Sequence, residues 1–350
     1  YDWEISGIDI SQAFLYGKLD KDIYMDMPPG LPKYDQYGNE LCVKLLRTLY
    51  GLKQSPRAFN ALLLSIFALF GLVQSKLDPC LFMFKSSDKV SILWVLIWVD
   101  DLVIITNDKS LRSRFKAHLE KHFTITYKEN LDWLLGVSLT RDRPDRSLVM
   151  SQELYVKTLL TKFQGLLKDH SRTYSTPAGE ETAKFTPDDC PKEGTQEKLD
   201  MMAFHATYMH LIGAFLWLTT CSMPFLGYVT SVLSRFTINP AKKHLNAAIR
   251  VLIYLRSHPV TGLKLGGLNS SCKFRVWVDA SWTDQWSVTG ALFCLGHTLV
   301  NWFTRRQTRV SRSSMEAETF AAADAATEGS FEMDLISELD VPQATMQILC

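Results

Sequence analysis

At 350 residues the chain exceeds what one typical hydrophobic core serves and suits two or three globular units. Apolar residues at 47% and charged residues at 21% describe an ordinary folded chain and exclude disorder as its main state. A formal net charge of +1 excludes the overall basic footprint that often marks a nucleic-acid binder, so such a partner has to be held by local patches.

Strand-like and helix-like patterns alternate over the first 165 residues. Residues 5–10 read as a strand, 56–70 as an amphipathic or buried helix, and 91–97 with 102–106 as two apolar strands flanking an Asp pair. Residues 111–123 are helical by period, with basic residues outside. This alternation implies an α/β or α+β domain. Between Tyr174 and Asp200 the composition shifts: Pro177, Pro187 and Pro191 punctuate a run with seven acidic residues and three lysines, which reads as a solvated linker or long loop.

Helical segments follow at 201–236 and 240–257, with Asn239-Pro240 as a helix start. Within the first of them, Leu211 to Leu233 carries no charged residue over 23 positions, enough by count to span a bilayer. Pro224 interrupts the run and Thr219, Thr220, Ser222, Thr230 and Ser231 dilute it, so two buried helices meeting at Met223-Pro224 are expected, without a membrane partner. The last unit opens near Ser271, with strands at 273–278, 290–294 and 299–303 and an Ala-rich helix at 313–330. The expected divisions are 1–165, a linker at 166–200, a helical segment at 201–270 and a last unit at 271–350.

The seven cysteines (Cys42, Cys80, Cys190, Cys221, Cys272, Cys294, Cys350) are scattered, with no C-x-x-C pair. They fit reduced thiols in an intracellular compartment rather than a disulfide framework or zinc site. No signal peptide is visible, and Tyr1 reads as the interior of a longer polypeptide. Basic clusters lie at Arg305, Arg306, Arg309 and Arg312 and at Lys44, Arg47, Lys53 and Arg57; the ordinary reading of either alone is a solvated face.

Trp98-Val99-Asp100-Asp101 sits between two apolar runs. Two adjacent carboxylates there are expensive to bury unless a positive charge neutralises them. A turn between the strands would lift them to a hairpin tip, where Mg²⁺ takes one or two carboxylates plus phosphates and waters. Taken alone, an Asp pair in a tight turn is more often turn chemistry. Asp9 ends another apolar strand, with Phe14 five positions on; alone it reads equally as a helix cap. Together with Asp100 and Asp101 it makes a trio suited to two-metal phosphoryl transfer, which needs carboxylates converging from separate strands.

Asp9-Ile10-Ser11-Gln12-Ala13-Phe14-Leu15-Tyr16-Gly17, Ile23-Tyr24-Met25 with Met27-Pro28-Pro29-Gly30, and Leu49-Tyr50-Gly51-Leu52-Lys53-Gln54-Ser55-Pro56-Arg57-Ala58-Phe59 resemble successive motifs of copia-type reverse transcriptases from LTR retrotransposon Pol polyproteins. Leu135-Gly136, Ser151-Gln152, Tyr155 and Leu233-Ser234-Arg235-Phe236 keep the family's order. The resemblance implies an α+β fold, a right-hand polymerase palm with partial fingers and a helical thumb and connection, followed by an incomplete ribonuclease H-like α/β domain.

It further implies that Asp9, Asp100 and Asp101 are palm carboxylates holding two Mg²⁺ ions, with Mn²⁺ as a substitute. Phe14 would be the gate against a 2′ hydroxyl. Ile10, Tyr50, Gly51, Lys53 and Pro56 would line the nucleotide pocket, and Arg57 would meet phosphates or template backbone. Leu135 and Gly136 would belong to the turn that positions the primer terminus. The implied partners are an RNA or DNA template with primer, deoxynucleoside triphosphates and other parts of the same polyprotein, in a cytoplasmic particle or the nucleus.

The family usually carries Tyr where this chain has Trp98, a bulkier ring that removes no metal ligand. At the other end, Val278-Asp279-Ala280-Ser281-Trp282, Val300-Asn301-Trp302, Arg305-Arg306-Gln307 and Ser313-Ser314-Met315-Glu316-Ala317-Glu318 resemble the family's ribonuclease H domain. Asp279 and Glu318 would be metal carboxylates there, and Arg305 and Arg306 nucleic-acid contacts. The family's next Asp would follow Cys350, and its basic fingers would precede Asp9, so a segment cut at both ends, without ribonuclease H activity of its own, is expected. Intact Asp9, Asp100 and Asp101 favour an RNA-directed DNA polymerase. Trp98 and the short ends favour a retroelement remnant that folds and binds nucleic acid without catalysis. An unrelated α/β enzyme with a chance Asp pair would need the ordered motifs to be coincidental.

Overall fold

The structure, a computed structural model, describes residues 2–168, 170–258, 262–268, 271–283, 286–341 and 345–350. The chain divides into two compact units, Tyr1–Leu131 and Asp132–Cys350. The 131/132 boundary falls inside the expected first segment, 1–165, and the expected 270/271 boundary falls beside residues outside the described set.

Unit 1 comprises β1 (Glu4–Ile10), β2 (Tyr24–Asp26), β3 (Cys42–Lys44), α1 (Ser55–Phe70), β4 (Val73–Gln74), β5 (Leu81–Lys85), β6 (Ile92–Trp98), β7 (Asp101–Thr106), α2 (Lys109–Glu120) and β8 (Ile125–Lys128). Its six-stranded sheet runs β4-β5-β6-β7-β1-β8, with antiparallel pairing throughout. Period-2 alternation decides which side chains enter the core. Ile8, Ile10, Leu93, Val95, Ile97, Leu102 and Ile104 pack with Phe59, Leu63 and Phe67 of α1 and Leu111, Phe115 and Leu119 of α2. Burying each such side chain contributes about 2 kcal/mol. Residues one step out of phase, Asp9 and Asp101 among them, are thereby left off the helix-covered side. Asp108 caps α2 by accepting from the N–H groups of Ser110 and Leu111.

Unit 2 begins with β9 (Trp133–Leu134), β10 (Val137–Asp142), β11 (Ser147–Ser151), α3 (Glu153–Lys162) and α4 (Gln164–Leu167). It continues with α5 (Gln196–Cys221), α6 (Gly227–Ser234), α7 (Lys242–Ser257), β12 (Leu263–Gly266), β13 (Phe274–Ser281), β14 (Val288–Leu295), β15 (Thr298–Arg306), α8 (Ser314–Glu338) and β16 (Gln347–Leu349). One sheet runs β12-β11-β10-β9 and another β15-β14-β13-β16, the last pairing, β13 with β16, being parallel.

By length and composition, α5 could cross a membrane. In the structure Tyr208, Leu211, Ile212, Phe215 and Leu218 of this helix are core residues packed with α6 and α7. The helix ends just before Met223-Pro224, where a short 3-10 turn (Pro224–Leu226) leads into α6. A proline cannot continue the hydrogen-bond ladder, so the expected pair of buried helices is what forms.

The acidic stretch expected as a solvated linker is more ordered than composition implies. It holds short 3-10 turns at Glu180–Lys184 and Pro187–Asp189. Thr182 is fully buried, and Phe185 packs edge-on against Phe236 and His244. Burial of Thr182, the packing of Phe185 and an ion pair of Asp189 with Lys243 fasten the segment. The Ala-rich helix is also longer than expected, reaching Glu338 rather than Ser330.

Candidate active site

Antiparallel register brings together acids that lie far apart in sequence. Asp9 pairs directly with Asp101 across β1 and β7. Trp98 pairs with Asp101 across the β6–β7 hairpin, leaving Val99 and Asp100 as its two-residue turn. The Ile10 N–H donates to the Asp100 carbonyl at 3.0 Å, tying β1 to that turn. Val99 takes a φ of 59°, a left-handed value that is an outlier for a β-branched residue. Such strain persists only where surrounding structure imposes it, and it collects at functional sites.

The Asp101 carboxyl is raised above the ordinary carboxylate range, first by burial, then by the negative charges of Asp100 and Asp9. Lys128 opposes the rise. Sequence reading missed Lys128, since nothing in its neighbourhood marks it; β8 carries it to the sheet edge opposite Gly7. A divalent cation would relieve the same repulsion more fully. Among the described residues no group of three or more His, Cys, Asp or Glu side chains, the trio Asp9, Asp100 and Asp101 included, is gathered closely enough to hold a metal ion by itself. An open set of carboxylates fits an ion that completes its shell with phosphates and waters.

Phe14 lies on a 3-10 turn (Ala13–Tyr16) just beyond β1. Its ring is 4.9 Å from that of Tyr50 and 6.2 Å from that of Phe59. A cavity of about 270 Å³ is lined by Phe14, Pro56, Phe59, Cys80, Trp98 and Val99, among others. Phe14 and the hairpin tip therefore share one pocket. Its placement is supported by residues the sequence did not single out: the buried Thr48 hydroxyl donates to the Phe14 carbonyl, and the Tyr16 hydroxyl accepts from the Thr124 N–H at 2.9 Å. Hydroxyls acting across such sequence distances leave no local signature.

Tyr50, Lys53, Pro56 and Arg57 are exposed around the start of α1, and Gly51 has a φ of 97°, open to glycine without strain. Ile10 departs from expectation. Its side chain is fully buried in the core and its N–H is committed to Asp100, so neither is left for a nucleotide.

On unit 2, Leu134 pairs with Val137, and Leu135 and Gly136 form the two-residue turn between them. Their φ values of 46° and 84° match the turn type that suits a twisted hairpin, and an exposed Leu side chain stands at its tip. Asp279 is exposed on β13, in alternation with Val276 and Val278, which pack against Ala321 and Ala325 of α8. Glu318 is half-buried on α8, and its Oε2 is buried without a hydrogen-bond partner. Arg305 lies 3.6 Å from Asp324 and 4.0 Å above the Phe303 ring, and Arg306 lies 4.7 Å above Trp286.

Comparison with known proteins gives the site its context. The family described as reverse transcriptase (RNA-dependent DNA polymerase) matches residues 1–177. The retrovirus-related Pol polyprotein from transposon TNT 1-94 of Nicotiana tabacum is 31% identical over 100% of this chain, and that from transposon RE1 of Arabidopsis thaliana is 32% identical over 97%. The chain spans only 26% and 22% of those two relatives. A solved foamy viral protease-reverse transcriptase in complex with RNA/DNA hybrid superposes with a TM-score of 0.51 at 13% identity, covering 99% of this chain and 38% of that one. That likeness shows a shared α+β fold. By the family match and the copia-type polyproteins it resembles end to end, this chain belongs to the reverse transcriptase family of retrotransposon Pol polyproteins.

Proposed function

We propose that the chain performs RNA-directed DNA synthesis, transferring a deoxynucleotide from its triphosphate to a primer 3′ hydroxyl, with Asp9, Asp100 and Asp101 as the catalytic carboxylates. The observation that carries this reading is the β1–β7 register, which sets Asp9 opposite Asp101 beside the Asp100 turn. The primer oxygen attacks the α-phosphorus and pyrophosphate departs, so the protein contributes positioning and charge stabilisation with little covalent work. Asp9, Asp100 and Asp101 would hold Mg²⁺, which when bound would supply positive charge against the negative charge that develops in the transfer.

The chain's own groups do the rest. The carboxylates fix the place of the positive charge, and Lys128 moderates their repulsion when it is absent. The Phe14 ring, held from behind through Thr48 and flanked by Tyr50, presents a flat wall to the sugar and disfavours a 2′ hydroxyl. Lys53 and Arg57, exposed near the start of α1, are available to phosphates, where cations give sequence-independent affinity. The role of Leu135-Gly136 at the primer rests on the family resemblance together with its exposed, defined turn. Asp279 and Glu318 are assigned to a ribonuclease H-like centre, and the orphaned Glu318 Oε2 is the kind of group a cation would satisfy.

Primer extension on an RNA template with Mg²⁺ tests the proposal. Extension is expected, with a loss of about a thousandfold or more on Asp100→Asn. Extension surviving that change would refute the site. Template binding without any extension by the unaltered chain would favour the non-catalytic remnant instead.

A further inference from the structure

At the end of α2 two histidines come together that take no part in the chemistry above. His118 lies in the last turn of the helix. His122 follows one turn on, where its backbone N–H donates to the Leu119 carbonyl at 2.9 Å. Side chains four residues apart on a helical path share a face. Here the two imidazole centroids are 5.2 Å apart with their planes inclined at 65°. His122 is exposed and His118 half-buried.

The tautomer of His118 is set by its partner. Its Nε2 lies 2.9 Å from the Ile66 carbonyl of α1, and a carbonyl only accepts, so Nε2 carries the proton and the neutral ring keeps a free lone pair on Nδ1. The Phe70 ring, 5.3 Å away, packs against the same imidazole. A ring that donates one nitrogen to a backbone carbonyl and keeps the other for a cation is the usual arrangement of a metal-ligating histidine.

The separation agrees with a shared ion. With nitrogen–metal bonds of about 2.0–2.1 Å and a tetrahedral angle, two imidazoles on one ion have centroids about 5 Å apart. The negative end of the helix dipole lies at the same place and favours a cation. Opposed to it are Lys121, next to His122, and Arg114, one turn before His118, whose guanidinium lies 5.9 Å above the Phe70 ring. Lys116 is answered by Glu120 at 3.0 Å.

We propose that His118 Nδ1 and the His122 ring bind one transition-metal cation of the Zn²⁺ class, with water in the remaining positions. Imidazole suits Zn²⁺, Cu²⁺ and Ni²⁺, whereas Mg²⁺ takes oxygen ligands, so this ion is not the one assigned to the carboxylates. Binding would brace the turn that follows α2. Phe123 of that turn is buried and its ring lies 5.0 Å from that of Tyr16. The Thr124 carbonyl accepts from the Ser11 N–H at 3.0 Å, so the braced turn backs the segment that carries Phe14.

The test is equilibrium competition for Zn²⁺ between the full chain and a chromophoric chelator, in excess Mg²⁺, which competes for oxygen ligands and not for imidazole. His122→Gln and His118→Gln should each lower Zn²⁺ affinity at least about tenfold, since even the supporting partners of a metal site are worth about 10–100-fold. His122→Cys, which offers a thiolate in place of the imidazole, should retain binding. Asp100→Asn should leave it unchanged. Amide hydrogen exchange over residues 121–124 should slow when Zn²⁺ is added to the unaltered chain and not when it is added to His122→Gln. Retention by His122→Cys separates loss of a ligand from misfolding. His122→Gln holding Zn²⁺ as tightly as the unaltered chain would overturn the proposal, and so would loss of Zn²⁺ on Asp100→Asn, which would place the ion at the carboxylates.

Discussion

Asp9 and Asp101, 92 positions apart in the chain, face one another as a directly opposed pair on neighbouring strands of one sheet. Like charges placed directly across a sheet are destabilising, and Asp101 registers this as a carboxyl raised by burial and by both neighbouring acids. The fold therefore keeps an unfavourable arrangement that a divalent cation would relieve.

That arrangement has a consequence for stability. A raised carboxylate binds its proton more tightly folded than unfolded, so its contribution favours the fold at acidic pH and is lost as pH rises through the folded value. In chelator near neutral pH, Asp101→Asn should raise the melting temperature by about 2 °C, and Mg²⁺ should raise that of the unaltered chain more than that of the variant. Differential scanning fluorimetry with and without Mg²⁺ reads both shifts; equal responses would remove the electrostatic argument.

The hairpin tip carries its own strain. Val99 at a φ of 59° is disfavoured by about 1 kcal/mol relative to a residue that accepts the left-handed region. Val99→Asn should therefore increase resistance to urea by about that amount, while altering the wall of the cavity that Val99 shares with Phe14 and lowering the rate of primer extension. An unchanged or lower urea midpoint would show that packing of the Val methyls outweighs the backbone.

Phe14 should act on sugar identity. Removing the ring by Phe14→Ala leaves the Thr48 bond to its carbonyl available, so the turn is retained while the wall is lost. Discrimination between deoxy- and ribonucleotides in single-nucleotide incorporation should fall about tenfold, which is about 1.4 kcal/mol. Unchanged discrimination would dismiss Phe14 as the gate.

His244 predicts acid sensitivity in unit 2. It is fully buried, its Nδ1 accepts the Ala241 N–H at 3.0 Å, and its ring stacks on Phe236 at 3.9 Å. Burial lowers its value from 6.5 to about 4. The unfolded chain then binds a proton between those values that the folded chain refuses, so stability falls as pH drops through that window. Between pH 7 and pH 5 the loss should be about 2 kcal/mol, read as a lower urea midpoint, and His244→Phe should blunt it.

Much of this was legible in the sequence where a local rule and the global fold agree. Apolar runs on both sides of Asp100-Asp101 read as strands meeting at a turn, and Pro224 weighed for two helices over one membrane-length span. Other features depend on tertiary contacts. Gly329 and Ser330 look like a helix end, yet α8 continues past them. A Cβ at Gly329 would come 2.4 Å from the Met346 sulfur, so any larger residue there requires the Met346 side chain to shift. Ile10 sits next to Asp9 in sequence but on the opposite side of the strand, which sends it to the core. The left-handed backbone of Val99 and the distant Lys128 and Thr48 join the site only through folding.

Asp9 of β1 is proposed to receive divalent metal jointly with Asp100 and Asp101 of the β6–β7 hairpin. Mn²⁺ binding to the chain with primed template and triphosphate, followed by electron paramagnetic resonance, tests it most directly, with Asp9→Asn as the decisive variant because Asp9 is remote in sequence from the tandem pair. The account predicts Mn²⁺ affinity at least about tenfold lower in that variant. Affinity and spectrum indistinguishable from the unaltered chain would contradict it.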